Sequence, residues 1–418
     1  MKNVKLSYKE ALELTKIYNQ EHLLKYFEEL SNEEKQNLLQ EIEEIDFDLI
    51  KCLYENNVKG HIEDGDDKIE PIEQSKEFHN MSQEEKDKYY KIGIKAISEG
   101  EVCALVVAGG QGSRLGHNGP KGTYDIGLPS SKSLFEIQID RLKELQEKTN
   151  RYIYWYIMTS EENNKETVEF FEKNNYFGYP KEYINFYTQE QLPMIDMEGK
   201  ILLKSKSEIV LGPNGNGGAL LSLKSSGMLE HMKKKGIKWI SFNGIDNVLV
   251  KIADPYFVGY TISTGMLAGS KVVYKRSPDE RIGAFCYKNR KPAIVEYIEI
   301  SKEMSEMRDE NGKLVYGAGN ILNYLFSVEF IEKALRANLP YHVAHKKSSY
   351  LSAKGEFIEA KGPNAYKFES FIFDNFSVLP SIALLEVKRE EEFAPVKNRE
   401  GEDSPETARK MYLDNYYK

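Results

Sequence analysis

Val102-Cys103-Ala104-Leu105-Val106-Val107-Ala108-Gly109-Gly110-Gln111-Gly112-Ser113-Arg114-Leu115-Gly116 is the stretch whose reading decides the fold. Its first seven residues are apolar or small without a break, which suits a strand buried on both faces of a parallel sheet. Glycine-rich sequence follows at once, where bare backbone N–H groups can approach a bulky anion because no Cβ stands in the way. Arg114 adds a fixed positive charge, and Lys121 follows shortly after. Neither common phosphate-loop pattern is present. Gly110-x-Gly112-x-x-x-Gly116 is one residue too long for the dinucleotide fingerprint. Gly119-Pro120-Lys121-Gly122-Thr123 has its lysine in the wrong order for a Walker A loop. The loop points to nucleotide handling of another kind.

Outward from this stretch, strands and helices alternate as far as about His345. Ser133-x-x-Glu136 opens a helix with Leu134, Ile137, Leu142 and Leu145 inward. Residues 152–158, 183–187 and 239–242 read as strands, with a helix around 167–172. Such alternation predicts a doubly wound α/β sheet with its ligand at the carboxyl ends of the strands. The unusual loops, Gly109 to Gly116, Gln189 to Pro193 and Asp246-Asn247, follow those ends.

The first hundred residues read as helical. Ser7-x-x-Glu10, Ser31-x-x-Glu34 and Ser82-x-x-Glu85 are capping boxes. After Ser31 a single apolar stripe runs through Leu38, Leu39, Ile42, Ile45, Leu49 and Leu53. Residues 57–67 read as a linker, and the region as a whole as a support with no convergent polar constellation. At the other end, 368–373 and 382–387 have strand character, and Ser404-Pro405 starts a final helix. The expected division is a helical region 1–100, a catalytic domain 101–345 and a small α+β region 346–418.

A chain of 418 residues predicts two or three domains. With 40% hydrophobic and 29% charged residues it reads as globular. A net charge of −9 argues against a dedicated nucleic-acid binder. Cys52, Cys103 and Cys286 form no C-x-x-C pair, so neither a disulfide framework nor a zinc site is indicated. No apolar run approaches a membrane span and Met1 to Lys5 lack an apolar h-region. A cytoplasmic setting is expected.

Five segments carry the chemistry: the glycine loop with Arg114, Gly119 to Ser130, Pro213 to Gly218, Asn243 to Asn247, and Phe393 to Asn398. Together they supply what nucleotidyl transfer needs, which is positioning and neutralisation of charge at an in-line phosphoryl centre. Backbone N–H groups, a few cations and a carboxylate for Mg²⁺ suffice, with no protein nucleophile. His342-x-x-His345 has metal-like spacing but no third ligand nearby and reads as structural. Glu390-Glu391-Glu392 reads as a solvated rim.

These segments closely resemble the eukaryotic UDP-N-acetylglucosamine pyrophosphorylase family. The resemblance runs through Ala108 to Gly116, Pro120-Lys121-Gly122-x-Tyr124-Asp125-x-Gly127-Leu128-Pro129-Ser130, Gln189-x-x-Leu192-Pro193 and Gly215-Asn216-Gly217-Gly218. It continues in Asp246-Asn247-x-Leu249-Val250-Lys251-x-Ala253-Asp254-Pro255, Val295-Glu296-Tyr297-x-Glu299-Ile300-Ser301 and Ala318-Gly319-Asn320-Ile321. It ends with Lys367-x-Glu369-x-Phe371-x-Phe373-Asp374 and Glu390-x-Glu392-Phe393-x-Pro395-x-Lys397-Asn398.

The resemblance implies a Rossmann-like, GT-A-like nucleotidyltransferase core with a mixed sheet. It also implies formation of UDP-N-acetylglucosamine and pyrophosphate from UTP and N-acetylglucosamine 1-phosphate. Ala108, Gly109, Gly110, Gln189, Gly215 and Asn216 would hold the nucleotide. Asp246 would bind Mg²⁺, with Mn²⁺ an acceptable substitute, beside the α-phosphate. Arg114 and Lys121 would face the departing pyrophosphate, and Lys397 the sugar phosphate. Gly283, Glu296, Asn320, Phe371 and Phe373, with Asn216, would shape the sugar and N-acetyl pocket. The partners expected are these small molecules, with no nucleic acid or membrane, and a monomer or weak homodimer. Two other readings stand beside this one: a UDP-glucose-type pyrophosphorylase, and a non-catalytic UDP-sugar-binding protein.

Overall fold

The computed structural model describes residues 6–60, 67–72, 75–337, 340–352 and 354–417. The chain gathers into two compact units that cross the expected boundaries. One unit combines 1–66, 190–218 and 339–371, and the other combines 67–189, 219–338 and 372–418.

The larger unit is built on a mixed sheet, eleven-stranded among the described residues. Its main path uses β1 (Ser75–Glu77), β2 (Val102–Val107), β3 (Trp155–Thr159), β4 (Ile184–Thr188), β5 (Trp239–Gly244), β6 (Ala268–Tyr274), β7 (Ala318–Ser327) and β8 (Ala383–Glu386). Their spatial order is β1-β8-β6-β7-β5-β2-β3-β4. The run β5-β2-β3-β4 is parallel, as the unbroken apolar sequence of β2 requires. Antiparallel β7 separates β5 from β6, and β8 lies parallel between β6 and β1.

Helices α1 (Gln83–Ser98), α2 (Leu134–Thr149), α3 (Asn164–Lys173), α4 (Pro255–Thr264) and α5 (Pro405–Tyr416) belong to this unit. Ala96 and Ile97 of α1, Leu142 of α2, Phe171 of α3 and Phe257 of α4 share one core with Val102, Ala104, Val106, Trp155 and Ile157. Alternation sends Leu105, Phe242, Tyr324 and Phe326 to the other face, where Phe242, Tyr324, Phe326, Phe330 and Phe376 form linked ring contacts.

The three-part division at 100 and 345 is not how the segments group, and the reason is burial. Ala383, Leu384 and Leu385 of β8 are all buried, so this strand needs cover on both faces and finds it inside the main sheet. The segment 75–98 likewise joins the larger unit. Here α1 and α4 meet backbone to backbone, since a Cβ on Gly93 would lie 1.8 Å from the Pro255 carbonyl oxygen and one on Gly259 1.8 Å from that of Tyr89. Gly93→Ala is expected to destabilise this unit by about 1–3 kcal/mol, the usual cost of overpacking. An unchanged unfolding midpoint would contradict the close crossing.

The smaller unit packs the helices Tyr8–Ile17, Asn32–Glu44 and Phe47–Tyr54 with residues brought from mid-chain. Leu38, Ile42, Phe47 and Ile50 share a core with Ile195, Ile201, Leu203, Ile209 and Phe368. All three capping boxes form. The expected single stripe after Ser31 is two helices, because the Asp46 carboxylate accepts from the Leu49 N–H at 2.9 Å and starts a new one. Of the expected linker, 57–59 lie in a π-helical turn that begins at Glu55, and 61–66 lie outside the described residues. The expected strand 368–373 is instead Ala365–Glu369 followed by a 3₁₀ segment, Ile372–Val378. Ser370 leaves the strand to donate its N–H to the Asn214 carbonyl. Cys52 is exposed and Cys103 and Cys286 are buried, all as free thiols. Among the described residues no helix is long and apolar enough to cross a membrane.

Candidate active site

The glycine loop closes on the segment after it. Gly112 donates its N–H to the Gly119 carbonyl at 2.9 Å and Lys121 donates its N–H to that of Gly110 at 3.0 Å. This fold-back brings the lysine beside the loop that leaves β2. Asn163, fully buried, holds the loop's root by donating Nδ2 to the Ala108 carbonyl at 3.0 Å. A Cβ on Gly110 would meet nothing within 4 Å. The protein's own packing does not demand glycine there, and the open space suits close approach of a ligand to bare backbone. Gln189 follows β4, with its Oε1 3.4 Å from where a Gly109 Cβ would stand.

The loop after β5 supplies the carboxylate. Gln138 on α2 donates to the Gly244 carbonyl at 3.1 Å and accepts from Asn243 at 3.2 Å, fixing the strand end inside the core. Asp246 then places Oδ2 3.7 Å from the Lys121 Nζ. Burial lowers the Lys121 ammonium below its ordinary value, Asp246 opposes this, and the nearby Lys397 and Arg114 charges add to the lowering. Arg114 and Lys397 line one cavity of about 690 Å³, together with Arg276, Arg281 and Tyr297. Four of the residues singled out from the sequence, Arg114, Lys121, Asp246 and Lys397, are thus gathered in one place.

Because the Lys121 ammonium is held below the ordinary lysine value of about 10.4, a step that needs its charge should fail as pH rises, starting below that value. The kcat/KM profile should show this alkaline limb, and Lys121→Arg should remove it. An identical limb in both proteins would assign it to another group.

Asn320 sits at a bulge in β7, where Leu322 takes a φ of 53°. Its Oδ1 accepts from the Leu322 N–H at 3.1 Å and the Tyr324 hydroxyl at 2.8 Å, which fixes the amide at the bulge. Gly283 lies against Glu296, whose Oε1 would be 2.9 Å from an added Cβ. Phe373 belongs to the same unit. Gly215, Asn216 and Phe371 belong to the smaller one. There Gly215 has a φ of 80° and its Cβ position falls 2.3 Å from the Ser370 carbonyl oxygen, so that only glycine fits the turn bearing Asn216.

The His342/His345 pair sits on one strand, His342–Lys346, opposite Glu369 and Tyr366 respectively. Residues three apart on a strand face opposite sides, so the two rings cannot share a metal. Glu392 departs from the expected solvated rim. It is 2% exposed, and its carboxylate meets the Lys271 Nζ at 2.5 Å and the Lys251 Nζ at 3.2 Å. Sequence reading passed over Gln138 and Asn163, and it gave Asn243 and Asn247, inside a segment it did single out, no role of their own. Gln138 had a legible signal, a polar residue at the centre of the i, i+4 row Leu134–Leu142 on an inward helix face.

The family described as UTP–glucose-1-phosphate uridylyltransferase matches residues 47–401. Among curated relatives, a probable UDP-N-acetylglucosamine pyrophosphorylase from Dictyostelium discoideum is 40% identical over 408 residues, covering 93% of this chain and 84% of its own. The chain belongs to the UDP-N-acetylglucosamine pyrophosphorylase family. The enzyme of that name from Saccharomyces cerevisiae is 43% identical over 339 residues, covering 78% of this chain and 71% of its own. A crystal structure of the uridine diphosphate N-acetylglucosamine pyrophosphorylase from Trypanosoma brucei, in complex with inhibitor, shares the fold with a TM-score of 0.82 at 29% identity. It covers 96% of this chain and 84% of its own. A doubly wound mixed sheet in a nucleotidyltransferase core, expected from the sequence, agrees with these neighbours.

Proposed function

We propose that this nucleotidyltransferase forms UDP-N-acetylglucosamine and pyrophosphate from UTP and N-acetylglucosamine 1-phosphate. The observation that carries the reading is the meeting of Lys121 and Asp246 at 3.7 Å, with Arg114 and Lys397 close by, at the carboxyl ends of β2 and β5. The family's relatives named for this activity support it.

A phosphate oxygen of the sugar phosphate attacks the α-phosphorus of UTP in line, the bond to the β-phosphate oxygen breaks, and pyrophosphate leaves. The nucleophile is already an anion, so no base need remove a proton. The protein's task is to hold two polyanions together and to spread the charge that develops. The bare backbone at Gly109 and Gly110, with Gln189, would take the nucleotide. Arg114 and Lys121 would draw charge toward the leaving pyrophosphate, while Lys397 would face the sugar phosphate. Glu296 and the Asn320 amide suit sugar hydroxyls and an acetyl carbonyl, and Phe373 suits the acetyl methyl.

Among the described residues no group of three or more His, Cys, Asp or Glu side chains gathers as a metal cage. A single partly exposed carboxylate fits Mg²⁺, which commonly takes one or two carboxylates and completes its shell with substrate phosphates and water. Asp246 would hold Mg²⁺, or Mn²⁺ in its place, and the ion would neutralise phosphate charge when bound.

Pyrophosphate release from UTP, measured with N-acetylglucosamine, N-acetylgalactosamine and glucose 1-phosphates, tests the sugar assignment. The N-acetylated sugar phosphates should be preferred. Turnover of glucose 1-phosphate alone would replace this reading by the UDP-glucose type.

A further inference from the structure

The Asn247 side chain joins the loop that carries Asp246 to the segment that carries Lys397. Its Nδ2 donates to the Glu392 carbonyl at 2.8 Å, and its Oδ1 accepts from the N–H groups of Ala394 at 2.9 Å and Leu249 at 3.1 Å. The residue is 4% exposed. Two of these contacts reach 145 and 147 positions along the chain. The backbone adds a short ladder, in which Val396 donates its N–H to the Asp246 carbonyl at 2.9 Å and Val248 to that of Ala394 at 3.2 Å. Asn247 itself pairs with Pro395, which has no N–H to give. The amide side chain supplies contacts that the proline cannot.

Beneath the ladder lies a fixed anchor. The buried Lys271 ammonium meets Asp254 at 2.6 Å and Glu392 at 2.5 Å, so residue 392 is pinned to β6 through its side chain and to Asn247 through its carbonyl. Lys397 follows five residues later on a short extended stretch.

We infer that Asn247 is a positioning residue that sets the distance between Asp246 and Lys397, acting through the backbone of residues 392–396. The inference rests on the function proposed above. A carboxylate for the metal and a cation for the sugar phosphate must meet one phosphoryl centre from two chain segments, and misplacement of either is costly. The Asn247 amide ties those segments directly.

A double-mutant cycle tests this on the full chain, with Asn247→Ala, Lys397→Ala and the pair. The reading is kcat/KM for the sugar 1-phosphate, with UTP affinity by calorimetry and the unfolding midpoint measured alongside. Asn247→Ala is expected to lower kcat/KM by about tenfold while UTP affinity holds, because the glycine loop is untouched. In the Lys397→Ala background the same substitution should cost about twofold or less. Losses that multiply independently would overturn the inference, as would parallel falls in UTP affinity and midpoint that account for the lost activity. If Asn247→Ala does not fold, Asn247→Asp carries the same cycle, since it keeps the acceptor for Ala394 and loses the donor to Glu392. A wild-type chain with no turnover would instead defeat the proposed function before the cycle begins.

Discussion

Asp246→Ala is expected to slow pyrophosphate release by about 10²-fold or more, the scale seen when one preorganised electrostatic contact is removed from a transition state. The loss has two sources. The substitution removes the oxygen that would hold Mg²⁺ beside the α-phosphate. It also leaves Lys121 without the one carboxylate found 3.7 Å away, in a pocket where burial already opposes its charge. Lys121 should then lose its proton at still lower pH, so the alkaline limb of the pH profile should move down as the rate falls. UTP held by the glycine loop should bind nearly as before, which places the effect in turnover. Near wild-type turnover would remove Asp246 from the metal-holding role.

Lys271→Ala carries the largest expected effect on stability. The side chain is fully buried and bridges Asp254 and Glu392, themselves nearly buried. Taking away the shared cation removes a buried partner from both carboxylates, leaving Glu392 to Lys251 at 3.2 Å, and breaking such a pair from one side costs about 3–5 kcal/mol. Burial by itself would lower the Lys271 pKa, but the two carboxylates outweigh it and hold it above the ordinary value. The sign follows: the stabilisation is complete below about 10.4 and is lost only as pH rises through the higher folded value. At neutral pH the Lys271 ammonium keeps its charge. Denaturant unfolding measures the cost, and a loss under about 1 kcal/mol would mean that the carboxylates are not confined as described. Activity should fall with stability, because Glu392 leads directly into the stretch bearing Lys397.

The sheet was legible in the sequence because β2 is apolar on both faces and its loop is rich in glycine, a local pattern with few alternatives. The grouping into units was not. β8 has the same apolar character as many outer strands, and nothing within Ala383 to Glu386 says that its partner lies over a hundred residues earlier, at Ala268 to Tyr274. Arg114, Lys121, Asp246 and Lys397 could be read as candidates because charge beside glycine or after a buried strand has few structural uses. The roles of Asn247 and Glu392 could not be read, since an Asn reads as a turn residue and a Glu within an acidic run reads as solvated. Only the partners, the Glu392 carbonyl for one and Lys271 for the other, reveal their roles. Long-range polar satisfaction is invisible to periodicity.

The most direct test of the central claim is to incubate the purified chain with UTP, N-acetylglucosamine 1-phosphate and Mg²⁺ and to follow the phosphorus resonances. The account predicts UDP-N-acetylglucosamine and pyrophosphate appearing in equal amounts, with neither formed by Asp246→Ala on the same time scale. UTP bound by the chain yet left unconverted would contradict it and favour a protein that binds nucleotide sugars without making them.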